Sequence, residues 1–145
     1  VAHRRSDAPS PDAAIALVSF DDLLARADHL VVAAPLYPAT TGLLGAAALA
    51  KTRRGVHLIN VARGAIVDSV ALAAALATGQ VGAATLDVTD PEPLPAGHPL
   101  WRAPNVRITP HVAWSSADTP RRIFALFAEN LGRLARGERL VNQLG

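Results

Sequence analysis

The sequence predicts an α/β fold built on a parallel sheet with helices on both of its faces, a doubly wound arrangement. Short apolar runs alternate along the chain with stretches that fit helices, which is typical of a parallel sheet with helical crossovers. Apolar residues make up 50% of the chain and aromatic residues only 4%, so small aliphatic side chains must fill the core. At 145 residues, the chain has the length of one domain.

The first elements alternate between strand and helix. The apolar run 15–19 predicts a short strand, and the acidic residues in 20–24 indicate the first turn of a helix. The run 29–34 is apolar almost throughout, as expected of a strand covered on both faces. Prolines and a glycine then mark a loop over 35–42, and 43–51 fits a helix.

The middle of the chain repeats this order. Residues 55–61 form a third apolar run and predict a strand. Asp68 or Ser69 could cap the alanine-rich helix predicted over 70–77, and Gly79 marks its end.

The last third predicts two further strands and a long helix. The strands are expected over 82–88 and 106–109, and the proline-rich stretch 90–104 between them has too many breaks to be regular structure. A helix is predicted over 119–136, with Gly137 as its stop. Five strands alternating with helices complete the prediction.

Composition excludes several classes of protein. The net charge is +2, and the arginines are spread along the chain without interleaved aromatic residues, which argues against a nucleic-acid partner. The absence of cysteine excludes a disulfide framework and a thiolate metal site. Since no two histidines have the i, i+4 spacing of a helical metal site, we expect no metal.

Targeting signals are also absent from this sequence. The longest apolar stretch, 42–50, is interrupted by Lys51 well short of the ~20 residues that a membrane span needs. No signal peptide is visible, so we expect a cytoplasmic protein without a membrane partner. The chain contains no methionine, even at position 1, and we therefore expect it to be a piece of a longer product.

Three side chains carry the chemistry that the pattern predicts. Arg63, Glu92 and His111 each follow an apolar run, and the carboxyl ends of parallel strands are where such sheets place their ligands. An arginine can hold a carboxylate with two hydrogen bonds, and a histidine beside a glutamate can transfer a proton near neutral pH. Together they indicate acid/base chemistry on a small anionic substrate.

Four motifs at compatible spacings resemble the D-isomer-specific 2-hydroxyacid dehydrogenases, among them the glyoxylate/hydroxypyruvate reductases and phosphoglycerate dehydrogenases. The motifs are APLYPATTG at 34–42, INVARGAIVD at 59–68, ATLDV at 84–88 followed by DPEPLP at 90–95, and HPL at 98–100 followed by TPH at 109–111. The resemblance covers the C-terminal part of the family's dinucleotide-binding domain. It implies a partial Rossmann-like sheet that lacks the first strand–helix unit, because no glycine-rich nucleotide fingerprint precedes the motifs.

The resemblance also implies a role for each motif residue. Arg63 is expected to bind the carboxylate and carbonyl of the substrate, His111 to protonate the keto oxygen, and Glu92 to orient the imidazole. Asp87 is expected to bind the nicotinamide carboxamide. The remaining positions expected to contact the cofactor are Pro35, Thr41, Val61 and Ala62, together with Arg63 and His111 themselves.

The first residues bear on the choice between NADP and NAD. An acidic residue after the second strand of such domains usually binds the ribose 2′-hydroxyl, whereas arginines accommodate a 2′-phosphate. Arg4 and Arg5 stand here with no acid before Asp7, and so favour NADP.

The implied function is reduction of a 2-keto acid to a D-2-hydroxy acid by an NAD(P)-dependent enzyme. Residues 1–145 would form part of its dinucleotide-binding domain, and 119–145 a helix returning to a substrate domain; the enzyme would be a homodimer. Trp114 keeps a non-catalytic, nucleotide-binding or corepressor-like module open, since the C-terminal binding proteins carry a similar His-x-Ala-Trp pattern. A third reading is an inactive fragment, and we expect the chain alone to lack activity.

Overall fold

Four parallel strands lie side by side in the order in which they occur along the chain. They are β1 (His29–Val32), β2 (Val56–Asn60), β3 (Val81–Leu86) and β4 (Val106–Ile108). The computed structural model describes residues 1–4, 9–10 and 12–143. It divides into two units, Val1–His111 and Val112–Gly145, and the sheet lies in the first of them.

Three α-helices accompany the strands of the first unit, namely α1 (Phe20–Arg26), α2 (Ala46–Ala50) and α3 (Ser69–Ala77). The hydroxyl of Ser19 caps α1 by accepting from the amide of Asp22 at 3.1 Å. The carboxylate of Asp68 caps α3 by accepting from the amides of Val70 and Ala71. Each cap satisfies amide groups that the first turn of a helix leaves without a backbone partner.

The core lies between these helices and one face of the sheet. In β1, Leu30 is buried and its neighbour Val31 is 55% exposed, as the alternation of side chains along a strand requires. Leu24 of α1 and Leu72 of α3 belong to the same buried cluster as Leu58 of β2. In the described part of the first unit, helices therefore cover one face of the sheet, whereas the apolar run in β1 had predicted cover on both.

The strand predicted over 15–19 is wrong. Leu17 forms only an isolated bridge with Ala2, whose amide and carbonyl bond to Ala16 and Val18 at 2.9 Å each. The apolar run is therefore extended against a single residue and does not enter the sheet. A short apolar run does not by itself reveal whether a partner strand exists.

The helix predicted over 43–51 is shorter than expected and begins at Ala46. Leu44 pairs instead with Val67, accepting a hydrogen bond from the amide of Asp68 and donating its own amide to Ile66. The backbone of Leu44 is thus bonded to the loop after β2 and cannot join the first turn of the helix. The other predicted helices and strands agree with the structure to within a few residues.

The second unit contains one long helix, α4 (Thr119–Ala135), which occupies the first part of the predicted 119–145 segment. Gly137 follows with a φ of 69°, the left-handed conformation that ends many helices. Beyond it, the side-chain amide of Asn130 bonds both the amide and the carbonyl of Val141. No helix in the described ranges is long and apolar enough to cross a membrane.

Candidate active site

The predicted site residues of the first unit follow the carboxyl ends of the four strands. Because the strands are parallel, these ends lie at one edge of the sheet. Pro35 follows β1, Arg63 follows β2, Asp87 and Glu92 follow β3, and His111 follows β4. The fold thus places at one edge residues that are far apart in sequence.

Glu92 and His111 form a direct pair, with 2.8 Å between Oε1 and the imidazole Nδ1. The two side chains are 42% and 43% exposed, so the pair is accessible from solvent. Since an ionised carboxylate only accepts hydrogen bonds, Nδ1 is the donor when Glu92 is ionised. His111 has a φ of 56°, and its amide donates to the carbonyl of Asp87 at 2.9 Å. The neighbouring strand end therefore fixes the backbone from which the imidazole extends, and Glu92 bonds the ring itself.

Arg63 lies in the turn between β2 and a short 3₁₀ helix, Gly64–Ile66. Its side chain is exposed, and Nη1 donates to the carbonyl of Ala62 at 2.7 Å. Under this turn lies Asn60, which is only 1% exposed. Its Nδ2 donates to the carbonyl of Arg63, and its Oδ1 accepts from the amide of Ala62, at 3.0 Å each.

Asp87 is a buried carboxylate at the end of β3, with 4% of its surface exposed. The hydroxyl of Thr109 donates to its Oδ1 at 2.5 Å, and the amide of Asp87 donates to the carbonyl of Asn60 at 2.9 Å. Neither Asn60 nor Thr109 was predicted from the sequence to belong to the site. The available signal was a polar residue directly at the end of an apolar strand, three residues before Arg63 in one case and two before His111 in the other.

Gly64 allows the loops after β2 and β3 to touch. A Cβ at this position would stand 2.0 Å from the carbonyl carbon and oxygen of Thr89 and 2.6 Å from the amide nitrogen of Asp90. Only a residue without a side chain fits against this peptide, two residues before Glu92. The glycine therefore holds the arginine turn and the glutamate loop in contact.

The proline-rich loop that carries Glu92 is anchored farther along by His98. Its Nε2 lies 3.1 Å from the hydroxyl of Ser69, and its Nδ1 accepts from the amide of Leu100 at 3.2 Å. Leu94 and Leu100 are buried, at 8% and 1% exposure. The loop predicted to be irregular over 90–104 contains a single 3₁₀ turn, Pro99–Trp101, and is held by these contacts.

The positions expected to contact a cofactor lie in the loops after β1 and β2. The carbonyl of Pro35 accepts from the hydroxyl of Thr40 at 2.9 Å, and Thr41 donates to the carbonyl of Tyr37 at 3.0 Å. Val61 is 43% exposed, and Ala62 is half-buried against the core.

The two arginines expected near a 2′-phosphate are only partly within the described structure. Arg4 donates from Nη2 to the carbonyl of Pro9 at 2.9 Å, whereas Arg5 lies outside the described residues. Among the residues that the structure describes, no group of three or more histidine, aspartate or glutamate side chains could hold a metal ion.

Comparison with known proteins yields one family. Residues 1–113 match the family described as D-isomer specific 2-hydroxyacid dehydrogenase, NAD binding domain. The chain is 47% identical over 124 residues to D-3-phosphoglycerate dehydrogenase from Mycobacterium leprae, covering 86% of this chain and 23% of that protein. It is 41% identical over 127 residues to human glyoxylate reductase/hydroxypyruvate reductase, covering 88% of this chain and 39% of that protein.

A solved structure agrees with this result. The D-isomer specific 2-hydroxyacid dehydrogenase from Xanthobacter autotrophicus Py2, crystallised with NADPH and MES, superposes with a TM-score of 0.86 at 40% identity. The match covers 99% of this chain and 59% of that one, so the chain spans less than two thirds of the length of each relative named here. The Rossmann-like α/β prediction and the predicted family are both confirmed. The chain belongs to the D-isomer-specific 2-hydroxyacid dehydrogenase family, and its residues 1–113 match the family's NAD-binding domain.

Proposed function

We propose that this chain serves in an NAD(P)-dependent oxidoreductase that reduces a 2-keto acid to a D-2-hydroxy acid, as part of a longer enzyme. The observation that carries the proposal is the 2.8 Å pair of Glu92 and His111 at the same sheet edge as Arg63. This arrangement supplies a cation for an acid group and a proton donor for a carbonyl. The family assignment supplies the redox class.

Arg63 is the group that would bind the substrate's carboxylate. Its guanidinium is planar and presents paired donors that match a carboxylate, which a lysine ammonium does not. In the present structure one of its donors is bonded to the carbonyl of Ala62. Substrate binding would exchange this neutral acceptor for a charged one, and charge-assisted hydrogen bonds are about twice as strong as neutral ones.

His111 is the group that would transfer the proton. With Nδ1 donating to Glu92, Nε2 is the ring nitrogen that would donate to the keto oxygen during reduction. An imidazolium carries a proton on each ring nitrogen, one donated to Glu92 and the other available to the keto oxygen. After transfer, His111 is neutral and the substrate carries a hydroxyl group, so the proton balance of the reduction closes.

The residues at this edge fit a dinucleotide. Asp87 presents a buried carboxylate directly after β3. A carboxylate accepts hydrogen bonds and so suits an amide N–H donor such as a carboxamide. The exposed side chain of Val61 offers an apolar surface in the adjacent loop. When bound, the nicotinamide cofactor supplies the hydride. Pro35, Thr41 and Ala62 would line the same side.

The cofactor is NADP or NAD. Arg4 and Arg5 support NADP, and a similar solved structure contains NADPH. Another, D-lactate dehydrogenase from Lactobacillus jensenii, contains NAD+ and is 29% identical to this chain. The proposed role of the two arginines in NADP binding is tested by measuring the ratio of the KM values for NADPH and NADH in the wild-type enzyme and in the Arg4→Ala and Arg5→Ala variants.

The organisation of the whole enzyme is also part of the proposal. Helix α4 would return to a substrate domain, which its exposed apolar side chains support: Ile123, Phe124, Phe127, Leu131 and Leu134 are all more than half exposed. The expected homodimer and cytoplasmic location stay predictions. Sedimentation of the enzyme that contains this chain tests the first of these.

The experiment that tests the function is an assay of the enzyme containing this chain with NADPH or NADH and glyoxylate, hydroxypyruvate or pyruvate. We expect turnover that Arg63→Ala and His111→Ala abolish or greatly reduce. Wild-type turnover that both variants match would refute the assigned roles. Tight dinucleotide binding without turnover would favour the nucleotide-binding, corepressor-like alternative, which Trp114, 68% exposed, supports.

A further inference from the structure

We propose that Asn60 is the positioning residue of the substrate-binding arginine, an inference that rests on the proposed function. Its side chain makes two hydrogen bonds of 3.0 Å to the turn that carries Arg63. One is accepted from the amide of Ala62, and the other is donated to the carbonyl of Arg63. At 1% exposure, Asn60 is covered by protein and acts through its neighbours rather than on the substrate.

These two bonds hold both sides of one peptide group. The amide of Ala62 belongs to the 61–62 peptide group. The carbonyl of Arg63 belongs to the 63–64 peptide group. The 62–63 peptide between them carries the carbonyl of Ala62, which accepts from Nη1 of Arg63 at 2.7 Å. Asn60 therefore fixes the backbone from which the guanidinium extends and the acceptor on which it rests.

The chemistry of the site requires a carboxamide. The turn presents one donor and one acceptor to the buried side chain, and asparagine supplies one acceptor oxygen and one donor nitrogen from a planar group. Aspartate of the same size supplies the acceptor but, when ionised, no donor. The backbone carbonyl of Asn60 also accepts from the amide of Asp87 at 2.9 Å. This bond joins the end of β2, which precedes Arg63, to the end of β3, where the buried carboxylate of Asp87 lies.

The first test is Asn60→Ala in the enzyme that contains this chain. We expect kcat/KM for the 2-keto acid to fall by about 10²-fold, the effect of a displacement near 1 Å, chiefly through KM, while KM for the dinucleotide rises by a smaller factor because the same turn carries Ala62. Thr52→Val is the matched control. Thr52 is also a buried polar residue, 6% exposed, but it bonds Leu49 and Gln80 before β2, at the opposite end of that strand. This control should leave both KM values near the wild-type ones.

Asn60→Asp keeps the size of the side chain and guards against a variant that fails to fold. An ionised aspartate lacks the donor for the carbonyl of Arg63, whereas a protonated one has it. The keto-acid KM of this variant, relative to wild type at the same pH, should therefore fall as the pH is lowered. A ratio that does not change with pH would overturn the proposal.

A double-mutant cycle separates positioning from a general structural role. If Asn60 acts through Arg63, Asn60→Ala should have little further effect on kcat/KM in the Arg63→Ala background. Additive effects would overturn the proposal.

Amide hydrogen exchange at Ala62 gives a readout that does not depend on turnover. Protection of this amide should be lost in Asn60→Ala and retained in Thr52→Val. If the wild-type enzyme shows no turnover, the proposed function fails, and exchange at Ala62 still decides whether Asn60 holds the turn.

Discussion

Replacing Gly64 with alanine should displace the loop that carries Glu92. The added Cβ would stand 2.0 Å from the carbonyl carbon and oxygen of Thr89. Reaching an ordinary contact near 3.4 Å requires a movement of about 1.4 Å, and the obstacle is backbone, which cannot turn aside as a side chain can. Such overpacking typically costs about 1–3 kcal/mol of folding stability. Because Glu92 lies two residues beyond Asp90, a displacement of this size should lower kcat by about 10²-fold.

Gly97→Ala is the matched control for this substitution. It adds the same methyl group within the loop that carries Glu92, but a Cβ at Gly97 meets nothing within 4 Å. Steady-state kinetics and chemical denaturation of both variants measure the two effects. We expect Gly97→Ala to keep wild-type turnover and stability.

Two results would refute this reasoning. Wild-type kcat in Gly64→Ala would show that the contact between the two loops does not fix the glutamate. Equal losses in Gly64→Ala and Gly97→Ala would show that the site responds to a methyl group added in either loop. The close approach at Gly64 would then not be the cause of the lost activity.

Three further substitutions test other parts of the structure. His111→Ala should lower kcat by about 10²–10⁴-fold, the usual contribution of a general acid; an unchanged kcat would remove His111 from the proton transfer. Arg63→Lys should raise KM for the 2-keto acid because it loses the planar paired donors, and an unchanged KM would show that a point charge suffices. Asp68→Ala should cost about 1 kcal/mol in urea denaturation, since its carboxylate caps α3, whereas Asp118→Ala should cost less, because Asp118 precedes α4 without a capping side-chain bond; equal costs would contradict the role of the cap.

The sheet was largely predictable because its first three strands are mostly apolar runs with helices between them. The runs at β2 and β3 are long enough and well enough bounded to be assigned as strands from sequence. The run 15–19 is also mostly apolar, yet Leu17 only bridges Ala2. What separates these cases is a neighbouring strand, which is a property of the fold and is not visible in a five-residue window.

The side chains proposed to react could be named from the sequence, whereas the residues that hold them could not. Arg63, Glu92 and His111 carry chemistry that a motif displays directly. Asn60 and Thr109 act through hydrogen bonds to groups whose position only the folded backbone defines. Gly64 looks like any loop glycine until the peptide of Thr89 is seen against it. Sequence thus indicates the groups that are proposed to react more readily than the groups that hold them.

The parallel order of the strands has a consequence for folding. Parallel strands cannot be joined by a tight turn, so each pairing in this sheet closes a long crossover before it gains its hydrogen bonds. Arg63, Asp87 and His111 follow three successive strands, and they meet only after both of the crossovers between them have closed. The ability to bind the proposed ligands should therefore appear late in refolding. The time at which ligand binding returns would report when the sheet is complete.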